Sequence, residues 1–351
     1  MLPVNDSLLL RAIRKQPIER TPIWVMRQAG RYLPEYIKLK NKAGGFINLI
    51  KDPELACEIT LQPLKRFSLD SAILFSDILV LSDLFGIKLS FEENKGPVFD
   101  KTINSFKDLN NITNNYEINK LDYVFKTIEL IKNELNGKKP LIGFIGSPWT
   151  VATYFIEGNS TKKFHKVFKM LNTDKELVHA LLKEITQASI KYIKKQILSG
   201  IDVVMIFDTW GGLLEGDMYK EFSINYINEI RNSIFSNEIP IIYYIRQPKN
   251  KVDIIKSLNV DVIGIDSTIN IGEFKKLVEG KFALQGNLDV NILKLSDKEM
   301  HNEVENILES YNETTGHIFN LGTGITPDIN PDKLKALIDI LANISPKYNV
   351  K

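Results

Sequence analysis

The chain has 351 residues, 44% of them hydrophobic and 25% charged, with a formal net charge of +2. A balance this close to neutral speaks against a general nucleic-acid or membrane-surface binder, both of which need a strong basic excess. A single cysteine, Cys57, excludes an intrachain disulfide and a cysteine-built metal cluster, and it predicts a reducing, cytoplasmic setting.

In chain order, Met1 to Arg20 carries only the short apolar run Leu8 to Leu10 before its charges, which is not the apolar core of a secretory signal. Eight short apolar, β-branched or aromatic runs then recur, with helical patterns between them. They are Pro22–Met26, Ser71–Ser76, Leu141–Gly146, Asp202–Phe207, Pro240–Ile245, Asp261–Ile265, Lys281–Gln285 and His317–Leu321. Most are too apolar for half-exposed strands and read as parallel strands buried on both faces. The longest apolar stretch, Ala72 to Ile87, holds Asp77 and Asp83 and does not read as a membrane span.

Residues 86–140 form the longest connection. Asp100 to Lys120 is rich in Asn and Lys and reads as a surface excursion; Leu121–Leu135 resumes a helical pattern. Glu176–Leu198 sets Leu177, Leu181, Ile185, Ala188 and Tyr192 at helical spacing. The last helix takes Asn330 as its N-cap and Pro331 as its first residue, with Leu334, Leu337, Ile338 and Leu341 inward. Strands alternating with helices predict either a closed barrel or a doubly wound sheet. No Gly-rich phosphate fingerprint follows any run, and eight units favour the barrel. The expected fold is therefore α/β, a single (β/α)8 TIM barrel over residues 1–351 with an insertion after strand 2.

Active sites of such barrels lie at the C-terminal strand ends. The first run opens into Arg27-Gln28-Ala29-Gly30-Arg31, two guanidiniums around small residues. Guanidinium forks suit carboxylates, and the small residues let backbone N–H groups approach a ligand. The loop therefore reads as a polyanion grip or, equally well on spacing alone, as surface arginines capping a barrel loop. Asp77, flanked by Ile73, Leu74, Phe75, Ile78 and Leu79, must be ion-paired, capping a helix, or functional. Tyr154, Asp208 and Thr209 are weaker candidates, since Asp and Thr after a strand commonly cap helices. Arg246, Asp266 and Thr323 mark other strand ends. His165, His179 and His301 fall in helix-like segments, and His317 starts the last run, at the end away from catalysis. Without a strand-end His or a Cys pair, zinc hydrolysis and Ser-His-Asp chemistry lack their parts.

The run Trp24-Val-Met-Arg-Gln-Ala-Gly-Arg-Tyr-Leu-Pro-Glu-Tyr36 closely resembles the N-terminal signature of uroporphyrinogen decarboxylases. Leu61-Gln-Pro-Leu-Lys-Arg-Phe67, Phe75-Ser-Asp-Ile-Leu-Val80, Gly146-Ser-Pro-Trp-Thr150 with Tyr154, Phe207-Asp-Thr-Trp-Gly211 and Gln285-Gly-Asn-Leu-Asp289 look like the same family. The resemblance implies a homodimeric barrel enzyme of heme biosynthesis, without metal or organic cofactor. Such an enzyme converts uroporphyrinogen III to coproporphyrinogen III by removing four acetate carboxyl groups. It implies that Arg27, Gln28, Ala29, Gly30, Arg31, Tyr154, Thr209 and Thr323 bind substrate. It also implies catalytic roles for Asp77 and Arg27. Thr209 stands where the family more often has Ser, Thr323 where it typically has His, and Lys40 where an Arg is usual. The resemblance also suggests Met26, Phe46, Ile78 and Phe207 as an apolar wall for the macrocycle. Two other readings remain: a paralogous barrel methyltransferase acting on corrinoid or coenzyme M with zinc held by His and Cys, and a tetrapyrrole-binding barrel without catalysis. A lone Cys57 and no strand-end His argue against the first, and the presence of Arg27, Arg31 and Asp77 against the second.

Overall fold

A computed structural model describes residues 4–92, 96–113, 117–161, 163–234 and 239–349. The first strand of its sheet is β1 (Ala72–Ile73). An antiparallel hairpin follows, β2 (Leu89–Glu92) and β3 (Gly96–Phe99). Six more strands complete the sheet: β4 (Leu141–Gly146), β5 (Val203–Asp208), β6 (Ile241–Ile245), β7 (Val262–Ile265), β8 (Ala283–Gln285) and β9 (His317–Ile318). The seven strands pair in parallel in the order β1-β4-β5-β6-β7-β8-β9. The runs read as strands from their apolar content are thus these strands, somewhat shorter at their ends.

The first run closes the ring. Ile23 bridges Phe319 in parallel, Phe319 N donates to Pro22 O at 2.8 Å, and on the other side Asp70 N donates to Ile23 O at 2.8 Å. Pro22–Met26 does not form the full ladder expected of it, for a physical reason. Side chains take its inner donors: Val25 N donates to Gln28 Oε1 at 3.2 Å and Met26 N to Asn320 Oδ1 at 3.1 Å. With this element between β9 and β1, the sheet is a closed (β/α)8 barrel.

Helices cover the outside. The longest, Lys175–Ser199, buries Leu177, Leu181, Ile185, Ala188 and Tyr192, is capped by the Asp174 side chain, and stops at Gly200 with φ 112°. The helix Pro331–Ile344 starts as its sequence predicts, with Asn330 Oδ1 accepting from Asp332 N at 2.9 Å. The insertion after the second barrel strand holds the hairpin and the helices Phe106–Thr113 and Asp122–Leu135. The excursion read over Asp100 to Lys120 thus contains a helix, and its residues 114–116 lie outside the described ones. β3 docks beside the barrel mouth: Phe99 N donates to Gly158 O at 2.9 Å and Ser160 N to Pro97 O at 3.3 Å. Inside the barrel, Trp24 Nε1 donates to Gln285 Oε1 at 2.8 Å, so both buried polar groups are matched. Among the described residues no helix is long and apolar enough to cross a membrane.

Candidate active site

The loop leaving the first barrel element is fixed before any ligand arrives. Arg27 takes a left-handed backbone conformation, φ 63°. Gln28 N donates to Val25 O at 2.9 Å, Leu33 N to Gly30 O at 3.0 Å, and Tyr32 OH to Gln28 O at 2.7 Å. A Cβ on Gly30 would stand 3.1 Å from Arg27 O, so the turn is tight. The N–H groups of Ala29, Gly30 and Arg31 have no acceptor among the described residues, which leaves them as donors for an anion. Both arginine side chains are exposed and make no hydrogen bond or ion pair there. Gln28 is different: its amide is fully buried and donates to Ser71 O at 3.1 Å, so it fastens the loop to the barrel wall.

Asp77 follows β1. One carboxylate oxygen accepts from Leu79 N at 2.8 Å; the other has no hydrogen-bond partner among the described residues. Desolvation raises its pKa above the ordinary carboxylate value, against the bond from Leu79 and the Arg27 charge, which both lower it. Tyr154, on the helix Pro148–Glu157, feels both charges. Burial raises its pKa, and the Asp77 carboxylate and Arg27 guanidinium act on it in opposite senses. Asp77, Arg27 and Tyr154 therefore share one electrostatic neighbourhood. Ile78 lies over the end of β4: a Cβ on Gly146 would stand 3.2 Å from Ile78 Cβ. Phe46 packs on Phe75 at 5.7 Å and Phe91 at 4.8 Å between ring centroids, and Phe207 on Phe144 at 5.6 Å. Met26 is buried, while Phe46, Ile78 and Phe207 are half-buried.

Asp208 ends β5 and is fully buried. It points outward, and four hydroxyls donate to it: Ser147 at 2.5 Å, Thr150 at 3.1 Å, Ser223 at 2.7 Å and Tyr243 at 2.5 Å. Tyr243 OH, having spent its proton there, accepts from Tyr219 OH at 2.7 Å. Ser223 reaches the cluster from a π-helical turn, Lys220–Ile224. Thr150 Oγ1 also accepts from Trp210 N at 3.2 Å, and Trp149 Nε1 donates to Trp210 O at 2.9 Å. This cluster holds the backbone on either side of Thr209, whose half-buried side chain makes no hydrogen bond among the described residues. Sequence reasoning missed the network, because its hydroxyls lie far apart in the chain. The signal available was a carboxylate inside an apolar run.

The loop after β9 carries Thr323, half-buried and without a side-chain hydrogen bond among the described residues. Tyr244 OH donates to Gly322 O at 2.8 Å, which pins that loop to the barrel interior. His317 is buried at the other end, bonded to Gly286 O at 3.1 Å and stacked on Tyr311, as a structural residue. Among the described residues, no three His, Cys, Asp or Glu side chains gather so as to hold a metal ion.

Unpaired guanidiniums, free backbone donors and a desolvated carboxylate at the C-terminal mouth of a barrel are an arrangement suited to a polycarboxylate anion. The sequence pattern of the family described as Uroporphyrinogen decarboxylase (URO-D) matches residues 5–344. A protein of that name from Legionella pneumophila (strain Paris) is 45% identical over 352 residues, covering 100% of both chains. Another, from Alkalilimnicola ehrlichii, is 43% identical, covering 99% of this chain and 97% of its own. The chain belongs to the uroporphyrinogen decarboxylase family. Among solved structures, a methyltransferase from Methanosarcina mazei superposes with a TM-score of 0.80, covering 98% of this chain and 99% of its own; at 18% identity it shares the fold.

Proposed function

We propose that this chain is a carboxy-lyase that removes the four acetate carboxyl groups of uroporphyrinogen III to give coproporphyrinogen III, with Asp77 at its centre. The observation that carries the reading is a single desolvated carboxylate beside Arg27 and Tyr154, within a family match that spans almost the whole chain. Relatives of 43–45% identity along the full chain favour this reading over a methyltransferase, a likeness carried at 18% identity.

Loss of CO2 from a pyrrole acetate leaves an electron pair that needs a sink. Protonation of the adjacent ring carbon makes the pyrrole cationic. The C–C bond then breaks toward the ring, and CO2 departs. A proton on the exocyclic carbon and loss of the ring-carbon proton restore the pyrrole. Each acetate thus consumes one proton and releases one CO2. The Asp77 oxygen without a protein partner accepts from the pyrrole N–H groups and stabilises the cation, a preorganised effect worth ~3–4 kcal/mol in comparable sites. Desolvation strengthens it, because the charge acts where little water screens it. Arg27, Arg31 and the N–H groups from Ala29 to Arg31 hold peripheral carboxylates, with the hydroxyls of Tyr154, Thr209 and Thr323 as further donors. Gln28 keeps that loop in place. Arg27 orients and neutralises the carboxylates it holds.

The reading takes residues 1–351 as one domain, acting in the cytoplasm as a homodimer without nucleic-acid or membrane partners. Turnover of anaerobically prepared uroporphyrinogen, followed by chromatography of the seven-, six-, five- and four-carboxylate products, tests it. A folded protein that forms none of them overturns it.

A further inference from the structure

The sequence has eight arginines. Arg11 pairs with Glu19, Arg20 with Asp70 at 2.6 Å, Arg66 with Glu35 at 3.3 Å, and Arg231 with Asp261 at 3.6 Å. Arg14 also has a partner. The three left without a hydrogen bond or ion pair among the described residues are Arg27, Arg31 and Arg246. Arg27 and Arg246 directly follow the C-terminal ends of barrel elements, and Arg31 lies four residues beyond Arg27 in the same loop. Arg246 differs from the other two in being half-buried. A cation partly withdrawn from water without a partner carries a cost that a bound anion would remove.

Its position is built rather than incidental. In β5 and β6, Phe207 and Tyr244 are paired in register and both ring systems face the barrel interior. Tyr243, one residue earlier, points outward to Asp208. Alternation along β6 therefore turns Arg246 to the inner side of the mouth. The backbone there is locked: Gln247 takes φ 53°, its N–H donates to Asp266 Oδ2 at 3.0 Å, and a Cβ on Gly212 would stand 2.9 Å from Arg246 O. Both the Arg246 and the Arg27 charges act on the Tyr244 hydroxyl. Yet β6 stands opposite the first element in the closed ring, four positions round from it. A macrocycle whose carboxylates project from its whole rim needs cations on both sides of the mouth; Arg27 and Arg31 supply one side only.

We propose that Arg246 is a further substrate-binding residue, gripping a peripheral carboxylate of the tetrapyrrole across the mouth from Arg27 and Arg31. This rests on the functional reading above, and the experiment separates the two. Steady-state kinetics with anaerobic uroporphyrinogen compare the unsubstituted protein with Arg246→Gln and Arg246→Lys at low and high salt. Arg246→Gln is expected to raise KM about tenfold or more, with kcat changed less than about threefold and a weaker salt dependence of KM. Arg246→Lys, keeping charge but not the fork, is expected to fall between. If Arg246→Gln has the KM and salt dependence of the unsubstituted protein, the inference fails while the functional reading stands. If Arg246→Gln does not fold, Arg246→Lys decides, and a KM equal to that of the unsubstituted protein overturns the proposal. No turnover by the unsubstituted, folded protein overturns the functional reading and this inference with it.

Discussion

The stem of Arg27 lies across the bare backbone of Gly324: a Cβ at position 324 would stand 2.6 Å from Arg27 Cδ and 2.9 Å from its Cγ. The first loop of the barrel and the last are thus fitted to each other, and a glycine in one sets where a guanidinium in the other can rest. The backbone of residue 324 does not need a positive φ, so alanine is tolerated by the chain itself. Gly324→Ala should therefore displace Arg27 without unfolding the protein. The expected outcome is a several-fold rise in KM with a melting temperature equal to or above the unsubstituted one, since alanine also restricts the unfolded chain. A KM left unchanged would show that Arg27 does not hold substrate from this position.

Asp77→Asn separates function from stability. Turnover is expected to fall by about 10²–10³, the range seen when a preorganised electrostatic group is removed. The folded protein should not suffer. Because Asp77 has its pKa raised, the folded state holds that proton more tightly than the unfolded chain does. Stability then declines as pH rises from the ordinary carboxylate value through the raised one, and stays lower above it. Asparagine has no such transition, so at neutral pH the variant should melt at the same temperature or higher. Near-normal turnover by chromatographic assay would remove Asp77 from the mechanism. The same shift places the acid limb of the kcat/KM profile above the ordinary carboxylate range, and that limb should vanish with the substitution.

Two basic residues, Arg27 and Lys40, are expected to rank. Arg27 shares the neighbourhood of Asp77 and Tyr154, whereas Lys40 lies on the helix Pro34–Ala43. Arg27→Ala should lose more of kcat/KM than Lys40→Ala, by at least about tenfold, the worth of one charge-assisted hydrogen bond. The reverse order, measured on the same substrate, would move the site toward the helix.

The barrel was legible because burial on both faces leaves a mark on composition. Leu141–Gly146 and Pro240–Ile245 are dominated by apolar and aromatic residues, the mark of strands covered on both faces in barrels and doubly wound sheets alike, and the count of eight runs favours the barrel. The first run has the pattern of an ordinary strand, yet only Ile23 pairs in register, because Gln28 and Asn320 replace its ladder partners with side-chain bonds. Asp77 and the arginine loop stood out as charges at strand ends. Arg246 stood at a strand end too, but its lack of a partner is a property of the folded protein and has no trace in local sequence. Asp208 resembled an ordinary helix cap for the same reason: Ser147, Thr150, Ser223 and Tyr243 meet it only in three dimensions.

Asp208→Asn tests that network. The carboxylate accepts four hydrogen bonds while fully buried, and an amide in its place meets hydroxyls already oriented to donate. A loss of about 2–4 kcal/mol in unfolding free energy by denaturant titration is expected, from two or so charge-assisted bonds weakened. Because Thr150 also carries Trp210 N, the loop bearing Thr209 should loosen and KM should rise with kcat less affected. Unaltered stability would mean that the hydroxyls find other partners at no cost.

His317 gives the pH dependence of the scaffold itself, away from the site. Burial holds its pKa down at about 4, against an ordinary value of 6.5, with the bond to Gly286 O opposing the shift. As pH falls below about 6.5 the unfolded chain takes up a proton that the folded state refuses until about 4. Stability attributable to this residue is complete above that window and is lost as pH falls through it, by up to ~3 kcal/mol at ~1.4 kcal/mol per pH unit. Carboxylates titrate over part of the same range, so the quantity to measure is a difference. His317→Gln retains an N–H for Gly286 O and removes the titration. Urea midpoints at pH 7, 6 and 5 should converge for the two proteins as pH falls, with the glutamine variant the less pH-sensitive. Parallel curves would show that the imidazole takes up its proton equally readily in the folded and unfolded chain, so that burial against Tyr311 does not hold the proton off.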